Sequence, residues 1–473
     1  MNQFDRFEEL KKRGVQLNKH QDVCNWNPNY FPKYIKNNYQ IISAKDKSYY
    51  VYNNGIWEIQ DDGRLLKELR DIFQEPKFGI WTPSIEKDYM VGMERELYYD
   101  GELNSNKNLI NLVNGMFDTE SFELKPHDYR YYSTIRIPIE YIIDAVCPRF
   151  KKFLKQVFDE DEERIMVAQE WAGYILTTAT NAQKALILLG EGENGKGVFV
   201  DTLSQLIGED NISNIPLNEL SRPFSRVRLY NKTANISGEN EMNGKSFNTQ
   251  YFKAIVGEDT ISAEEKNKPV FSFKSTAKLI MTMNNLPNTR DTSYGYFRRL
   301  SILAFNANFS GKKRDNQLRE KLKEELPGIF LWAMEGLKRL RQNDYKFSQC
   351  KSMDEMVKGY QIEQKPMVQF FEDCIVPIED TSYREDNKIV YNSFKSWAVA
   401  NGIEKHYAQM SLQKFWREFE AVAKKKGYKF SSSRSNTFRY HTGIKVVGEY
   451  RAMTGINLNN KFIFSIDDEL NNP

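Results

Sequence analysis

The residues best suited to do chemistry stand together in Gly190-Glu191-Gly192-Glu193-Asn194-Gly195-Lys196-Gly197, directly after the apolar run Ala185-Leu186-Ile187-Leu188-Leu189. The stretch fits G-x-x-x-x-G-K, and Val198 to Ile207 reads as a following helix. Glycines let backbone N–H groups turn inward on phosphate oxygens, and the amino end of the helix adds its dipole. Gly190 to Val198 therefore form a candidate loop for the phosphates of a nucleotide, ATP in the usual chemistry, with Lys196 reaching the β- and γ-phosphates. The last position of the pattern asks for Ser or Thr, whose hydroxyl helps hold Mg2+; here it is Gly197. A metal ion at such a site depends on other ligands or on water.

Hydrolysis at such a loop needs an acidic group to hold the metal and orient water. Thr233-Ala234-Asn235-Ile236-Ser237-Gly238-Glu239-Asn240-Glu241 offers Glu239 just past a short strand, with Glu241 close by. Taken alone, the stretch reads equally as an acidic surface loop. A second apolar strand, Leu279 to Met283, ends at Asn284, whose amide beside the phosphate loop can sense a γ-phosphate or the lytic water. Arg298 and Arg299 follow. An arginine near a nucleotide site can serve as a finger on a neighbouring subunit's phosphate, although arginine pairs are common on surfaces. Asp259 to Lys274 reads as a hairpin with Lys266 and Lys268 at its polar tip. Such an arm can grip the phosphates of a single strand, and it is also what an ordinary solvated turn looks like.

These residues need a frame to hold them. Short, wholly apolar runs flanked by helical stretches are typical of buried parallel strands, so the middle of the chain is expected to be an α/β core. Before it, Ser48 to Tyr52 and Ile56 to Ile59 flank Asn53-Asn54-Gly55, a hairpin signal. Leu109 to Val113 meets a turn at Asn114-Gly115, and Pro148 to Phe158 and Glu163 to Thr177 have helical spacing. Residues 313–342 are helical with an interruption at Pro327-Gly328, and 343–365 form a polar connector. Beyond it, a helix over Ile389 to Ala400 turns Val390, Phe394 and Trp397 inward. Another follows Ser411, with Leu412, Phe415, Phe419 and Val422 on one face and Gly427 as its stop. Tyr428 to Phe430, a serine-rich turn and Thr437 to Tyr440 then read as a hairpin. The domain reading is an α+β region at 1–145, the phosphate-loop domain at 146–345, a connector at 346–365 and a nucleic-acid-binding domain at 366–473.

Composition narrows the function classes. The chain has 473 residues, 40% of them hydrophobic, with a net charge of +3. No run of about 18 apolar residues exists, so no membrane span or membrane partner is expected. Met1 to Arg6 lacks the apolar stretch of a secretory signal. The four cysteines are widely spaced and suggest neither a zinc knuckle nor a disulfide framework, which fits a cytoplasmic protein. Residues 381–450 hold 13 Lys or Arg against 6 Asp or Glu, a local +7 that suits a polyanionic partner or a soluble basic face.

The order of the motifs resembles the superfamily 3 helicases, and more closely the branch of poxvirus primase-helicase-like and phage or plasmid primase proteins. The resemblance is carried by Gly190 to Gly197, Ala234 to Glu239, Gly257 to Ala263 with Lys266, Thr276 to Pro287, and Phe297-Arg298-Arg299. Asn114 to Asp118 and Trp171 to Leu176 look like the region preceding that family's ATPase, and Leu326 to Ala333 like its closing helical segment. The resemblance implies a AAA+ motor that uses ATP and Mg2+ and assembles as a ring, usually a homo-hexamer. In its terms Lys196 is the phosphate-loop lysine and Glu239 the metal-holding acid. Glu241 stays open as the alternative, since relatives often carry Asp where Glu239 stands. Asn284 is the first sensor, Arg298 or Arg299 the finger acting in trans, and Lys266 or Lys268 the pore lysine. Gly at the position of Gly197 is a familiar variant of the branch. The basic carboxyl-terminal segment looks like a winged-helix domain, with Lys414, Arg417, Lys424, Lys425, Arg434 and Arg439 facing DNA. Size and layout are similar to the replication initiator helicases of staphylococcal mobile islands.

The implied function is a replicative DNA helicase that loads itself at an origin, translocates on single-stranded DNA and unwinds duplex, alongside a host or element-encoded primase and polymerase. Residues 1–150 show no paired-aspartate strand or zinc knuckle, so primase activity is not expected. One alternative is a DNA-binding initiator whose ATPase only switches assembly. Another is a phosphate-loop motor or kinase indifferent to nucleic acid.

Overall fold

The computed structural model describes residues 3–20, 22–60, 63–65, 67, 81–238, 248–266, 270–287, 289, 291, 293–309, 315–380, 382–403, 410–435 and 439–451. The chain divides into two compact units, residues 1–355 and 356–473.

In the first unit the amino-terminal turns follow from their residues. Asn54 and Gly55 both take positive φ, 46° and 90°, and close the hairpin Tyr49–Asn53 with Ile56–Gln60. That is the backbone twist a two-residue hairpin requires. A second hairpin, Leu109–Leu112 with Gly115–Asp118, turns at Val113-Asn114, one residue before the Asn114-Gly115 signal, because Gly115 already pairs with Leu112.

The centre is a five-stranded, wholly parallel sheet. Its strands are β1 (Ala185–Leu189), β2 (Ile212–Ser213), β3 (Ala234–Ser237), β6 (Lys278–Met283) and β7 (Leu300–Ala304), in the order β2-β3-β6-β1-β7; β4 (Thr260–Ala263) and β5 (Phe271–Lys274) pair separately as an antiparallel hairpin. All five residues of β7 and all but the last of β1 are buried, as the unbroken apolar run of β1 requires. The helices of this region are α1 (Pro148–Val157), α2 (Glu162–Tyr174), α3 (Lys196–Ile207), α4 (Thr249–Val256), which packs against β4, α5 (Leu318–Lys323) and α6 (Leu326–Gln342). Phe150, Leu154, Trp171, Leu203, Leu206, Ile329 and Phe330 share one core with the strands. Lys278, at the start of β6, is also fully buried: its ammonium donates to the Thr177 carbonyl and lies over the Tyr174 ring. Burial holds its pKa well below the usual lysine value.

The expected interruption falls at Glu324-Glu325, between α5 and α6, just before Pro327-Gly328. Pro327 sits in the first turn of α6, where the missing N–H would have had no intrahelical partner. The segment read as a connector is also ordered: α7 (Lys351–Gln364) occupies most of it. Its approach is clamped to α2. Buried Glu170 accepts from Ser348 and pairs with Arg339, and Glu163 accepts from the Lys351 amide. These anchors come from distant residues and leave no periodic signal in the segment itself.

The second unit contains α8 (Pro366–Cys374), β8 (Ile375–Pro377), β9 (Glu385–Asp386), α9 (Asn387–Ala400), α10 (Leu412–Lys425), β10 (Ser431–Arg434), β11 (Arg439–Thr442) and β12 (Ile444–Val446). The sheets are β9-β11-β10 and β8-β12, both antiparallel. Val390, Phe394 and Trp397 point inward, as do Phe415 and Phe419, whereas Leu412 is exposed at the start of α10. Ser411 caps α10 by accepting from the Lys414 amide, and Gly427 takes φ of +75° just past its end. The serine-rich segment forms strand β10 rather than a turn, because it pairs with the next strand, β11. No helix among the described residues is long and apolar enough to cross a membrane.

Candidate nucleotide-binding site

β1 delivers the glycine loop at its carboxyl end, and α3 begins at Lys196, so strand, loop and helix follow one another as the pattern requires. Gly195, at the N-cap of α3, has φ of +85°, and a Cβ there would stand 2.7 Å from Val157 Cγ2. Only glycine fits both constraints. Asn194 is buried and shapes the loop. Its amide nitrogen donates to the carbonyls of Glu191 and Phe305, and its oxygen accepts from the Lys196 amide at 3.1 Å. The loop is further tied to the segment after β7 by the Phe309 amide, which donates to Glu193 O at 2.9 Å. Glu191, Gly192, Glu193 and Gly197 are exposed, and Val198 is half-buried in the first turn of α3.

Sheet order brings the partners together. β6 pairs directly with β1, with Met283 opposite Leu189, which sets Asn284 beside the loop. The Lys196 ammonium donates to Gly190 O at 2.6 Å, Met283 O at 3.0 Å and Asn284 Oδ1 at 3.3 Å. Lysine and amide thus meet on one patch although 88 residues separate them. β3 lies on the far side of β6, with Ser237 opposite Met281, so the chain leaving Ser237 starts at the same carboxyl edge, about 10 Å from β1 at the usual strand spacing. Glu239 and Glu241 lie outside the described residues.

The two arginines stand at the other end. The Ala185 amide donates to Arg299 O at 2.8 Å, which fixes the pair beside the start of β1. Five strand residues, about 16 Å, separate that edge from the phosphate loop of the same chain. The side chains also diverge. Arg299 folds back on Gly295 O, its Nε is buried without a hydrogen-bond partner, and burial, together with neighbouring Arg298, lowers its pKa. Arg298 is exposed and donates to Gln183 Oε1 at 3.2 Å. The expected lysine hairpin is present as β4-β5, with Thr260 opposite Lys274 and Ala263 opposite Phe271. Lys266 is exposed beyond β4. Lys268 lies outside the described residues.

A cavity of about 770 Å³ opens beside Glu193 to Val198. Phe153, Val198 and Phe309 form apolar parts of its wall, and Arg149, Lys152 and Arg319 supply charge. Its size and mixed lining suit a nucleotide-sized ligand. None of Arg149, Lys152, Phe153 or Arg319 was singled out from the sequence. A faint signal existed: Arg149, Lys152, Phe153 and Gln156 fall at helical spacing on one face of α1.

In the second unit, Lys414, Arg417, Lys424, Lys425, Arg434 and Arg439 are all exposed. Arg434 and Arg439 are direct cross-strand partners in β10-β11. Like charges held opposite one another repel, so this pair favours an anionic neighbour. A second cavity, about 580 Å³, is lined by both arginines together with Lys388, Trp416 and His441.

Residues 100–159 match the family described as D5 N terminal like, and residues 188–299 match a family of unknown function, DUF5906. The chain is 27% identical over 260 residues to L207/L206 of Acanthamoeba polyphaga mimivirus, covering 49% of this chain and 25% of that protein. It is 22% identical over 389 residues to 184R of Invertebrate iridescent virus 6, covering 71% of this chain and 38% of that protein. Both relatives are named as inferred helicases, and the chain spans well under half of either. Among solved structures, the apo NrS-1 C-terminal region shares the fold, with a TM-score of 0.54 at 13% identity over 89% of this chain and all of that one. The chain is thus similar to viral proteins named as helicases, with a mixed α/β fold around a parallel five-stranded sheet.

Proposed function

We propose that this protein is an ATP-dependent replicative DNA helicase of the superfamily 3 type, a AAA+ motor working as a ring, usually a homo-hexamer. The observation that carries the reading is the division of labour across one sheet. Lys196 and Asn284 meet at one edge, and Arg298 stands at the opposite edge, out of reach of its own phosphate loop. An arginine so placed serves catalysis when a neighbouring copy presents its loop to it. The names of the viral relatives support the same reading.

ATP phosphates exchange with the carbonyl oxygens now holding the Lys196 ammonium, and Asn284 orients the γ-phosphate or the attacking water. Phe153 and Phe309 cover the apolar part of the nucleotide. Mg2+ neutralises phosphate charge when bound. Glu239, or Glu241, would be the acid that holds it, with Gly197 contributing no hydroxyl. Arg298 is the finger acting in trans, and Arg299 braces the turn that carries it. Lys266 and Lys268 grip single-stranded DNA. The second unit is a winged-helix domain that docks duplex DNA at an origin, α10 and β10-β11 presenting Lys414, Arg417, Lys424, Lys425, Arg434 and Arg439 largely to phosphates. A primase and a polymerase, from host or element, complete replication, as in the initiators of mobile genetic islands. A DNA-binding initiator that only switches assembly with ATP is the second reading, favoured by the winged-helix reading of the second unit and the modest net charge of +3.

The test is strand displacement on a forked duplex. ATP-dependent separation supports the helicase. Protein that hydrolyses ATP, binds DNA and never separates the fork is an initiator instead.

A further inference from the structure

The phosphate-loop pattern places a hydroxyl after its lysine, and this chain has Gly197 there. A Cβ built on Gly197 meets one neighbour within 4 Å, Nη2 of Arg319 at 3.6 Å. A guanidinium from α5 therefore lies over the first turn of α3, where the usual side chain would project. Its position is held. Arg319 Nε donates to Asp201 Oδ2 at 2.7 Å, and Asp201 follows Gly197 by four residues on the same face of α3. Leu322, fully buried on α5, anchors the helix that carries the arginine.

We propose that Arg319 is a nucleotide-contacting residue acting within its own chain, and that Asp201 holds its guanidinium ready beside the phosphate loop until a polyphosphate takes it over. The proposal rests on the reading of Gly190 to Gly197 as an ATP site and adds a ligand to it. Three features support it. The planar guanidinium fork matches phosphate oxygens, and one N–H suffices for Asp201. The cavity it borders is basic on balance, with Arg149, Lys152, Arg319 and Lys321 against Glu193 and Asp315. The Arg319–Asp201 pair is about half exposed, with side-chain exposures of 58% and 41%, so it contributes little to folding and exchanges partners cheaply. A polyphosphate carries more charge than one carboxylate and wins that exchange. The arrangement replaces a neutral hydroxyl with a cation at the position of Gly197.

Equilibrium binding of a non-hydrolysable ATP analogue and of AMP to the full chain tests this. Arg319→Ala should weaken the triphosphate at least about tenfold while AMP affinity holds, and Arg319→Lys should recover part of the loss. Asp201→Asn, which releases the guanidinium, should strengthen triphosphate binding. Unchanged triphosphate affinity in Arg319→Ala overturns the proposal. So do equal losses in Arg319→Ala and Asp201→Asn for both ligands, the mark of an ion pair that merely joins two helices. Failure of the wild-type chain to bind the analogue, or undiminished binding by Lys196→Ala, overturns the ATP-site reading itself and the proposal with it.

Discussion

Lys196 has three N–H donors, and three oxygens of the loop and of β6 receive them. Under the proposed function, a phosphate at the loop would substitute for those oxygens without leaving the ammonium bare. Lys196→Ala should therefore lower ATP turnover by at least about a hundredfold while costing under about 1 kcal/mol of stability, since the residue lies at the surface edge of the sheet. Phosphate release and thermal melting of the same preparation check both halves; turnover at the wild-type rate would refute the assignment. Arg298 and Arg299 show what residue type cannot tell. They are adjacent and chemically identical, and no property of the sequence ranks them. Packing ranks them: Arg299 is folded back under its own turn, and Arg298 faces outward.

At the scale of elements, hairpins declared themselves where a turn residue needs positive φ, as at Asn54-Gly55. Strands declared themselves where burial demands a short apolar run, unbroken in β1 and interrupted only by Thr282 over Leu279 to Met283 of β6. β10 and α7 were not legible. Ser431 to Ser433 have weak strand propensity and are held by pairing with β11, while the path into α7 is held by Glu163 and Glu170. Pairing and tertiary anchoring override local preference. His441 on β11 gives the second unit a measurable property. Its ring stacks on Trp416 at 4.5 Å, and its Nδ1 lies 2.7 Å from the Asn387 amide oxygen, so Nδ1 carries the proton. Burial lowers its pKa to about 4 from an ordinary 6.5. A depressed pKa in the folded state means that the unfolded chain binds the extra proton first. Stability is thus fully present above pH 6.5 and is lost as pH falls toward 4, by about 3 kcal/mol in all. Hydrogen-exchange protection of α10, corrected for the intrinsic rate, should fall over that window in the wild type, and this pH dependence should flatten in His441→Phe. Equal pH profiles for the two proteins would show that His441 is not the group responsible.

Across the whole molecule, the sheet places Lys196 and Arg298 at opposite edges, so the proposed finger has to reach the loop of a neighbouring copy. Lys196→Ala and Arg298→Ala should each be inactive alone. Mixed in equal amounts, they should recover turnover at about one quarter of the interfaces, since each catalytic interface takes its loop from one copy and its finger from the next. A mixture as inactive as its components would place the finger elsewhere.

The sequence by itself determined the strand, loop and helix around Gly190 to Gly197, the α/β character of the core and the basic charge of the carboxyl-terminal segment. Each rests on residue type and short spacing: glycines before a lysine, apolar runs five residues long, lysines and arginines gathered within 70 residues. Only the tertiary structure decided what meets what. It set Asn284 against Lys196 by pairing β6 with β1, turned Arg298 outward and Arg299 inward, and laid Arg319 over Gly197. Those outcomes depend on strand order and helix packing between residues as many as 122 positions apart, for which a linear chain carries no local mark.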